Sequence, residues 1–483
     1  MNNLGVIGGG TAGFVAALIM KARYPTMDIT MVKSSKIGII GVGEGSTEHW
    51  LEFMRFVGIT HQDVIQKCGA TFKSGIMFKD WIDEDYLHSV HEDFDKKTGQ
   101  YFYLYGKVIS EQRPQKYLTQ YDVWDSTLDQ RELESIEPPY NQFHFNTADL
   151  NKFLEEFAIK KGIKIIDDEI LEVETSDKGI ANLVGEKSNY SFDFYIDSTG
   201  MRRMLIDKLG AKWQSYSKYL KMKSAIVFPL PHTTDNYDLW TTARAMKNGW
   251  LFRIPVQTRY GNGYIFDSDY ITPEQARQEV EEYFGHEIPD PRHITFDPGA
   301  LDNTWIKNCV AVGLSASFVE PLEATSIGTS IQQAFMLMHR IINYTDISIK
   351  RYNKDVNALL DNIRDFVVLH YQTKRTDSEF WKDVQKMPLP ESLQENLNHW
   401  KQNLPISEDF NHLPGYVLFR DQNFLHILHG LKLFDYEKIR EEYLSQNPVL
   451  LDIANKELKQ IYQNIELTPK ISHKKFIDLV KLV

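Results

Sequence analysis

The apolar runs nearest the N-terminus are separated by a glycine cluster. A short run at 4–7 ends in consecutive glycines, an apolar and helix-forming stretch covers 14–20, and a second run covers 29–32. This order predicts a strand, a glycine turn, a helix and a second, parallel strand. Residues 4–33 are therefore predicted to form one βαβ unit of a doubly wound α/β sheet.

A similar alternation of helix and strand patterns returns between residues 140 and 200. Asn146 is a candidate helix cap, residues 150–161 have a helical composition that stops at Gly162, and apolar runs at 163–166 and 195–197 resemble strands. Caps and stops at these positions are typical of a helix that leads into a strand. We expect this stretch to return to the first sheet.

Two other regions follow different patterns. Residues 72–140 and 205–300 carry strand-like aromatic segments, such as 101–105 and 263–266, and predict a second sheet. From about residue 345 onward, apolar side chains recur at helical spacing, which predicts a helical C-terminal region. We see no internal repeat and no long Gly/Ser linker, so we expect these units to share one body.

Composition narrows the function classes. The 483 residues include 54 Lys and Arg against 66 Asp and Glu, a net charge of −12, whereas sequence-independent nucleic-acid binding needs basic surfaces. No apolar run reaches the roughly 18 residues that cross a bilayer, so we expect a cytoplasmic protein that contacts neither membrane nor nucleic acid. Two cysteines cannot form a disulfide framework, and no spaced His/Cys/Asp cluster predicts a metal site.

The N-terminal glycine cluster has the spacing Gly-x-Gly-x-x-Gly. In this motif Gly8 allows a tight turn, Gly10 lets the backbone approach a pyrophosphate, and Gly13 lets the helix pack closely on the strand. Lys33 stands at the end of the second strand, where an acid usually binds the ribose hydroxyls. We therefore predict a nucleotide site with altered ribose recognition and weaker affinity, in which Lys33 pairs with a phosphate or lies in solvent.

Further motifs follow in a fixed order. They are Ile-Gly-Val-Gly-Glu at 40–44, Phe72-Lys73, Asp197-Ser198-Thr199-Gly200, Gly249-Trp250 with Ile254-Pro255, Glu-Pro-Leu-Glu-Ala-Thr at 320–325, and His370-Tyr371 followed by Phe380-Trp381. Together with the N-terminal glycines, they resemble the flavin-dependent halogenases of the tryptophan-halogenase family over most of residues 4–381.

The resemblance implies an α/β (α+β) architecture, namely the FAD-binding, Rossmann-like doubly wound fold of flavin monooxygenases. An inserted β-sheet would cover the substrate, and the C-terminal region would be helical. On this basis the expected divisions are FAD-binding parts at 1–71, 140–204 and 301–344, a substrate-side sheet at 72–139 and 205–300, and a helical region at 345–483.

The resemblance also implies a chemistry. Reduced FAD from a separate, diffusing flavin reductase would react with oxygen to give a flavin hydroperoxide, and attack by halide would give hypohalous acid. Because this oxidant is small and indiscriminate, it has to be steered through a tunnel to a polar group near the substrate. By resemblance that group is Lys73, whose ammonium would polarise the oxidant or whose amine would form a haloamine.

By the same resemblance, Glu323 is the second catalytic residue and would accept the ring proton or orient the oxidant. The Glu-Pro-Leu-Glu register favours Glu323 over Glu320. The backbone N–H groups of Thr325 and Ser326 would hold the halide. The FAD contacts carried over are Gly8, Gly9, Gly10, Ala12, Gly13, Ser34, Ile37, Ile40, Val42, Glu44, Gly45, Ile170, Leu314 and Ile327.

The sequence departs from the family at two further positions. Ser326 stands where glycine is usual, which puts the preferred halide in doubt. The family's Trp-x-Trp-x-Ile-Pro motif keeps Trp250 and Pro255 but has Phe252 as its second aromatic; these bulky side chains would keep substrate and flavin apart. We expect His144 and His370 to be core residues, because a lone histidine in an aromatic fold usually is.

We therefore expect halogenation of an electron-rich indole, phenol or pyrrole with chloride, bromide or iodide; whether the protein forms a homo-oligomer is undecided. One alternative is a flavin monooxygenase that hydroxylates a small aromatic and needs neither Lys73 nor the halide loop. The other is a non-halogenating FAD-binding protein, with Lys33, Ser326 and Phe252 as signs of decay.

Overall fold

The computed structural model describes residues 1–38, 41, 43–90, 142–445, 447–449, 452, 456 and 472–482. The strand expected at 101–105 and the FAD contacts expected at Ile40 and Val42 lie outside these residues. Most of the inserted stretch expected at 72–139 lies outside them as well.

The first sheet has five parallel strands and an antiparallel strand at one edge. In spatial order these are β20 (Trp305–Ile306), β21 (Cys309–Ala311), β12 (Phe194–Asp197), β1 (Asn3–Ile7), β2 (Asp28–Lys33) and β8 (Lys164–Asp167). Helix α1 (Thr11–Arg23) connects β1 to β2, and its interior is buried from Gly13 to Met20. The predicted βαβ unit is confirmed.

The second sheet draws strands from both aromatic stretches of the sequence. In spatial order its strands are β18 (Arg292–Thr295), β14 (Ser224–Leu230), β17 (Arg259–Phe266), β16 (Gly249–Val256), β15 (Trp240–Ala245), β5 (Gly75–Lys79) and β6 (Tyr86–Ser89). Neighbouring strands are antiparallel except β15 and β5, which run parallel. Pro255 is accommodated in β16 although proline cannot donate a ladder hydrogen bond.

Three small sheets complete the described strands. One pairs β3 (Glu44–Gly45) and β4 (Thr71–Phe72) with the two edges of β7 (Phe143–Phe145). The others contain β9 (Ile170–Ser176), β10 (Gly179–Gly185) and β11 (Asn189–Tyr190), and β13 (Trp213–Ser215), β19 (Gly299–Leu301) and β22 (Ser317–Phe318). The first of these sheets matters for the site, because it brings Gly45 beside the residue that follows β4.

The remaining helices include one at the pattern predicted for 150–161 and several in the region after residue 345, whereas Pro273–Phe284 is a helix within the stretch expected to form the substrate-side sheet. They are α2 (His49–Val57), α3 (His61–Lys67), α4 (Thr147–Lys160), α5 (Pro273–Phe284), α6 (Thr325–Met338), α7 (Asp346–His370), α8 (Glu379–Val384), α9 (Glu391–Trp400), α10 (Asp421–Gly430), α11 (Tyr436–Leu444) and α12 (His473–Val480). Asn146 caps α4 by accepting from the N–H of Ala148 at 3.2 Å, as predicted. Among the described residues, no helix has the length and apolarity needed to cross a membrane.

One hydrophobic cluster joins the two large sheets to the C-terminal helices. Six tryptophans from distant parts of the chain are fully buried in it: Trp50, Trp81, Trp250, Trp305, Trp381 and Trp400. Because such large rings lose much apolar surface to solvent on unfolding, this shared cluster stabilises the packing of the sheets and helices as one body.

Candidate functional site

The glycine turn between β1 and α1 has room for a phosphate. Gly8 has φ +114°, and a Cβ there would lie 2.2 Å from the carbonyl oxygen of Ser198. A Cβ at Gly13 would lie 2.5 Å from the Gly8 oxygen, whereas a Cβ at Gly10 would meet nothing within 4 Å. No side chain caps the start of α1. An uncapped helix N-terminus behind an open glycine fits the pyrophosphate of FAD.

Lys33 does not lie free in solvent. Its ammonium forms an ion pair with Glu155 of α4, and its aliphatic stem packs over Gly9, where a Cβ would lie 2.6 Å from the stem. Lys33 is therefore paired with a carboxylate of α4, an outcome that differs from both predicted ones. Of the two further contacts expected after β2, Ser34 is half-buried and Ile37 is exposed.

The other expected FAD contacts lie on three different elements. Gly313 packs so closely on Ala12 that a Cβ would lie 2.5 Å from the Ala12 methyl group, which brings the neighbouring Leu314 to the start of α1. Ile327 is buried in α6, and Ile170 is buried at the start of β9. Leu314 thus lies next to the glycine turn.

Glu44 and Gly45 occupy the short strand β3. Loss of surrounding water raises the pKa of Glu44 to about 7. A Cβ on Gly45 would lie 3.2 Å from the Ala324 Cβ and 3.6 Å from the Lys73 Nζ. Gly45 therefore separates the Lys73 ammonium from the backbone that follows Glu323.

Lys73 is a buried lysine between β4 and β5, with 2% of its surface exposed. Its Nζ donates to the Ser46 carbonyl oxygen at 2.8 Å and to Gln142 Oε1 at 3.2 Å. Gln142 in turn donates to Glu48 Oε2 at 3.2 Å. Burial lowers the pKa of Lys73 from 10.5 to about 8, against the opposing charges of Glu323 and Glu48. The ammonium is still the main form at neutral pH.

The C-terminal helix holds the backbone next to Lys73. The Nε2 atom of His473 in α12 accepts from the Phe72 N–H at 3.1 Å, and its Nδ1 lies 3.2 Å from the Tyr237 carbonyl oxygen. Phe476 of the same helix packs on Phe72, with ring centroids 5.4 Å apart. His473 is therefore neutral, with its proton on Nδ1, and it fixes the strand that leads to Lys73.

We predict that His473 makes the protein less stable in mild acid. Burial lowers its pKa from 6.5 to about 4. Between these values the unfolded chain binds a proton that the native state does not, so stability falls as pH falls, by about 3 kcal/mol over the window. Replacing His473 by Gln, which can still accept from Phe72, should remove this loss when urea unfolding is compared between about pH 7 and pH 5.

The exposed His286 provides the matched control for that measurement. Its replacement by Gln should leave the pH dependence of the unfolding free energy as in the parent chain. Equal pH dependence in the parent and the His473→Gln variant would show that His473 does not couple protonation to folding.

Glu323 ends a short 3₁₀ turn (Pro321–Glu323) and is held between two buried histidines. Its Oε2 lies 2.9 Å from His88 Nδ1, and its Oε1 lies 2.8 Å from His370 Nε2. Burial opposes ionisation of Glu323, but its electrostatic interactions and hydrogen bonds with the two histidines outweigh this effect and lower its pKa to about 2. The two histidines therefore favour the ionised form of Glu323.

Glu320 is also buried, but its surroundings differ. Its Oε2 accepts from Trp250 Nε1 at 3.0 Å and from the Tyr371 hydroxyl, while its Oε1 has no partner among the described residues. Burial raises the pKa of Glu320 to about 7, against those two hydrogen bonds. The two glutamates of one motif therefore have pKa values about five units apart.

The aromatic strand β16 faces this carboxylate. Trp250 and Phe252 lie on the same face of β16, with ring centroids 6.1 Å apart, and both are buried. Pro255, farther along the strand, accepts from the Thr71 hydroxyl through its carbonyl oxygen at 2.6 Å. Phe252 retains the bulk of the family's second aromatic and packs over Gly263.

Thr325 and Ser326 open helix α6. Ala324 before them has φ +54°, and no side chain caps the first N–H groups of α6. Thr325 is buried and Ser326 is exposed. A pocket of about 290 Å³, open solvent included, is lined by Gly313, Leu314, Ser317, Phe318, Val319, Thr325, Ser326, Thr329, Leu360 and Ile363.

The two histidines singled out in the sequence have different surroundings. His144 is a buried core residue between the hydroxyls of Thr71 and Thr241, at 3.2 and 3.0 Å, and burial lowers its pKa well below 6.5. His370 contacts Glu323, so its interpretation as a plain core residue was incomplete. The available signal was the His370-Tyr371 motif, in which both residues bind a buried glutamate. No pattern pointed to His88.

Comparisons with known proteins identify related sequences over most of the chain. The sequence profile described as tryptophan halogenase matches residues 3–440. The chain is 31% identical over 462 residues to the 7-chloro-L-tryptophan 6-halogenase KtzR of Kutzneria sp. (strain 744), covering 85% of this chain and 88% of that protein.

Solved structures are similar over the full length. The tryptophan 6-halogenase SttH from Streptomyces toxytricini has a TM-score of 0.85 at 26% identity, covering 98% of this chain and 99% of the other. Tar14, a tryptophan C-6 flavin-dependent halogenase (chlorinase) from taromycin biosynthesis, has a TM-score of 0.87 at 26% identity over 100% of both chains. The expected FAD-binding, Rossmann-like fold is confirmed. Because the match includes both the glycine turn and the segment of Lys73 and Glu323, this chain belongs to the tryptophan halogenase family, whose members are flavin-dependent enzymes.

Proposed function

We propose that the protein uses reduced FAD, oxygen and chloride, bromide or iodide to halogenate an electron-rich aromatic of the indole, phenol or pyrrole type. The observation that carries this proposal is the burial of Lys73 next to the segment of the ionised Glu323, across Gly45. A cation and a carboxylate withdrawn from water can direct a small oxidant and take up the proton that the ring releases.

The residues of the glycine turn would hold FAD, with Gly10 and the N-terminus of α1 at the pyrophosphate. When bound and reduced, FAD supplies the electrons with which oxygen converts halide to hypohalous acid. A separate flavin reductase would deliver the reduced cofactor. Trp250 and Phe252 on β16 would separate the aromatic substrate from the cofactor, which disfavours direct oxygen transfer to the substrate.

Lys73 would bind the oxidant through a remaining N–H. An ammonium has three donors, and two of them are used by Ser46 and Gln142. With a pKa of about 8, roughly nine in ten of these side chains are ammonium at pH 7. We therefore favour polarisation of hypohalous acid by a hydrogen bond over haloamine formation, which needs the neutral amine. Glu323 would then accept the ring proton.

The open start of α6 would hold the halide through the backbone N–H groups of Thr325 and Ser326, where the helix dipole favours an anion. We predict that Ser326→Gly raises turnover with iodide relative to chloride by about fivefold, on the order of 1 kcal/mol, because loss of the side chain makes room for the larger ion. Competition assays with mixed halides give this ratio directly. The Ser326→Ala variant removes the hydroxyl but keeps the Cβ, so it distinguishes the effects of these two groups. An unchanged ratio of iodide to chloride turnover in Ser326→Gly would contradict a steric role for the side chain.

A substrate and halide screen by mass spectrometry tests the proposed function. Purified protein would be supplied with FAD, a flavin reductase, NADH and each halide. It would be tested on tryptophan and 7-chlorotryptophan, the substrates in the names of the relatives above, and on indoles, phenols and pyrroles. Halogenated product is expected. Hydroxylated product without halogenation would favour the monooxygenase, and failure to bind FAD in either redox state would favour a non-halogenating protein.

A further inference from the structure

The carboxylate of Glu323 lies between two histidine rings that make different hydrogen bonds on their far sides. His88 comes from β6 and His370 from the last turn of α7. Each ring is at most 1% exposed, so water does not satisfy the ring nitrogens. The partners of the four nitrogens therefore determine where the protons lie.

His370 faces an acceptor on both sides. Its Nδ1 is 2.8 Å from the carbonyl oxygen of Phe366, which can only accept, and its Nε2 is 2.8 Å from Glu323 Oε1. A neutral imidazole has one N–H and one lone pair. With the N–H on Nδ1, the contact between Nε2 and Oε1 needs a second proton, which is carried by Nε2 or by the carboxyl group.

His88 needs no additional proton. Asn423 Oδ1 accepts from the Arg420 N–H at 2.8 Å, which orients the amide so that its Nδ2 donates to His88 Nε2 at 3.2 Å. The lone pair of His88 therefore lies on Nε2 and its proton on Nδ1, from which it donates to Glu323 Oε2. The additional proton lies on the His370 side of the carboxylate.

We propose that His370 and Glu323 share one proton in the resting site and that this proton is released to the leaving oxygen during halogen transfer. This inference rests on the proposed function. As the new carbon–halogen bond forms, the halogen–oxygen bond of hypohalous acid breaks, and the oxygen takes the shared proton and departs as water. The halogenated ring carbon then loses its own proton to Glu323, which restores the pair.

The step is balanced, because an aromatic C–H and hypohalous acid give an aromatic C–halogen and water without another oxidant. Glu323 exchanges protons with the reactants, and His370 acts through Glu323 as a positioning residue. The pair must give a proton to the leaving oxygen before Glu323 accepts one from the ring. The carboxylate therefore needs a neighbour, His370, that holds a proton beside it. A lone carboxylate could accept the ring proton but would have none to give to the oxygen.

Few other titratable groups face the pair. The charge of Lys73 interacts with that of Glu323. Burial and, to a smaller extent, the charge of Glu323 raise the pKa of Tyr86 well above 10, so this phenol stays neutral. The ring of Phe78 packs on His370 with centroids 4.9 Å apart, and that of Phe366 does so at 5.0 Å. His426 lies against the other histidine, His88, at 5.7 Å.

Nitrogen-15 NMR of histidine-labelled protein tests the shared proton without relying on turnover. One histidine should have both ring nitrogens protonated, because both nitrogens of His370 face acceptors. That signal should be absent in His370→Gln and should persist in His88→Gln, whose amide can still donate one N–H to Glu323. If the proton resides on the carboxyl group instead, isotope-edited infrared spectra should show a protonated carboxyl that Glu323→Gln removes.

Turnover provides the second readout. His370→Gln should bind FAD as the parent does but lose about 10- to 100-fold in kcat, with an altered acid limb of the pH profile. A singly protonated His370 beside an ionised Glu323 would overturn the shared proton, whatever the activity. A shared proton in a protein that halogenates nothing would instead overturn the proposed function, so the two failures are distinguishable.

Discussion

Replacement of Lys73 by alanine is expected to reduce kcat for halogenation by at least about 10³-fold, because the variant lacks the cation that binds and polarises the oxidant. FAD affinity should stay within about twofold, since Lys73 lies outside the glycine turn. Stopped-flow absorbance and product analysis by mass spectrometry measure the two effects separately. Normal oxidation of the reduced cofactor without halogenated product is the expected outcome.

Two further variants keep this prediction testable. The Lys73→Met variant has a side chain of similar volume, so a loss of halogenation in it does not result from collapse of the buried site. Lys79→Ala is the matched control, since Lys79 lies at the end of β5, the strand that follows Lys73, and forms a half-exposed ion pair with Asp85 at 3.6 Å. Substantial halogenation by both Lys73 variants would contradict the role assigned to its ammonium.

Replacement of Glu323 by glutamine is expected to lower kcat by about 10²- to 10⁴-fold, the range for loss of a positioned acid–base group. The ionised carboxylate accepts hydrogen bonds from both histidines, and an amide can neither accept a ring proton nor satisfy the two donors equally. Single-turnover kinetics with the reduced cofactor supplied in excess would assign the loss to the chemical step.

Glu320→Gln is the matched control within the same motif. Because the pKa of Glu320 is raised to about 7, its neutral form is well populated, and glutamine retains an oxygen for Trp250 and Tyr371. We expect a change of less than about fivefold in kcat. A larger loss in the Glu320 variant than in the Glu323 variant would reverse the assignment of the two carboxylates.

Elements that depend on neighbouring residues were predictable, because a short stretch of sequence contains all the residues that specify them. The strand, glycine turn and helix at residues 3–23 follow from apolar periodicity and from glycines that turn and packing require. The cap at Asn146 and the stop at Gly162, which has φ +82°, also depend on neighbours only a few residues away. Each pattern was therefore visible in one short window of sequence.

Long-range partners were not predictable in the same way. The ion pair of Lys33 joins it to Glu155, 122 positions away, and His473 forms a hydrogen bond with Phe72 across 401 positions. A hydrogen bond across such a separation has no periodicity and no fixed spacing. The sequence therefore identified Lys33 as a departure, but its ion-pair partner on α4 became visible only in the packed structure.

The sequence by itself determined the βαβ fold, the glycine turn and the order of motifs that includes Lys73 and Glu323, because these depend on residue type and short spacing. Only the tertiary structure decided the electrostatics of the site. It placed His88 and His370 on either side of Glu323 and left one oxygen of Glu320 without a partner among the described residues, so that two carboxylates of one short motif titrate far apart. Burial and hydrogen-bond partners set these pKa values, and both arise from contacts between distant segments.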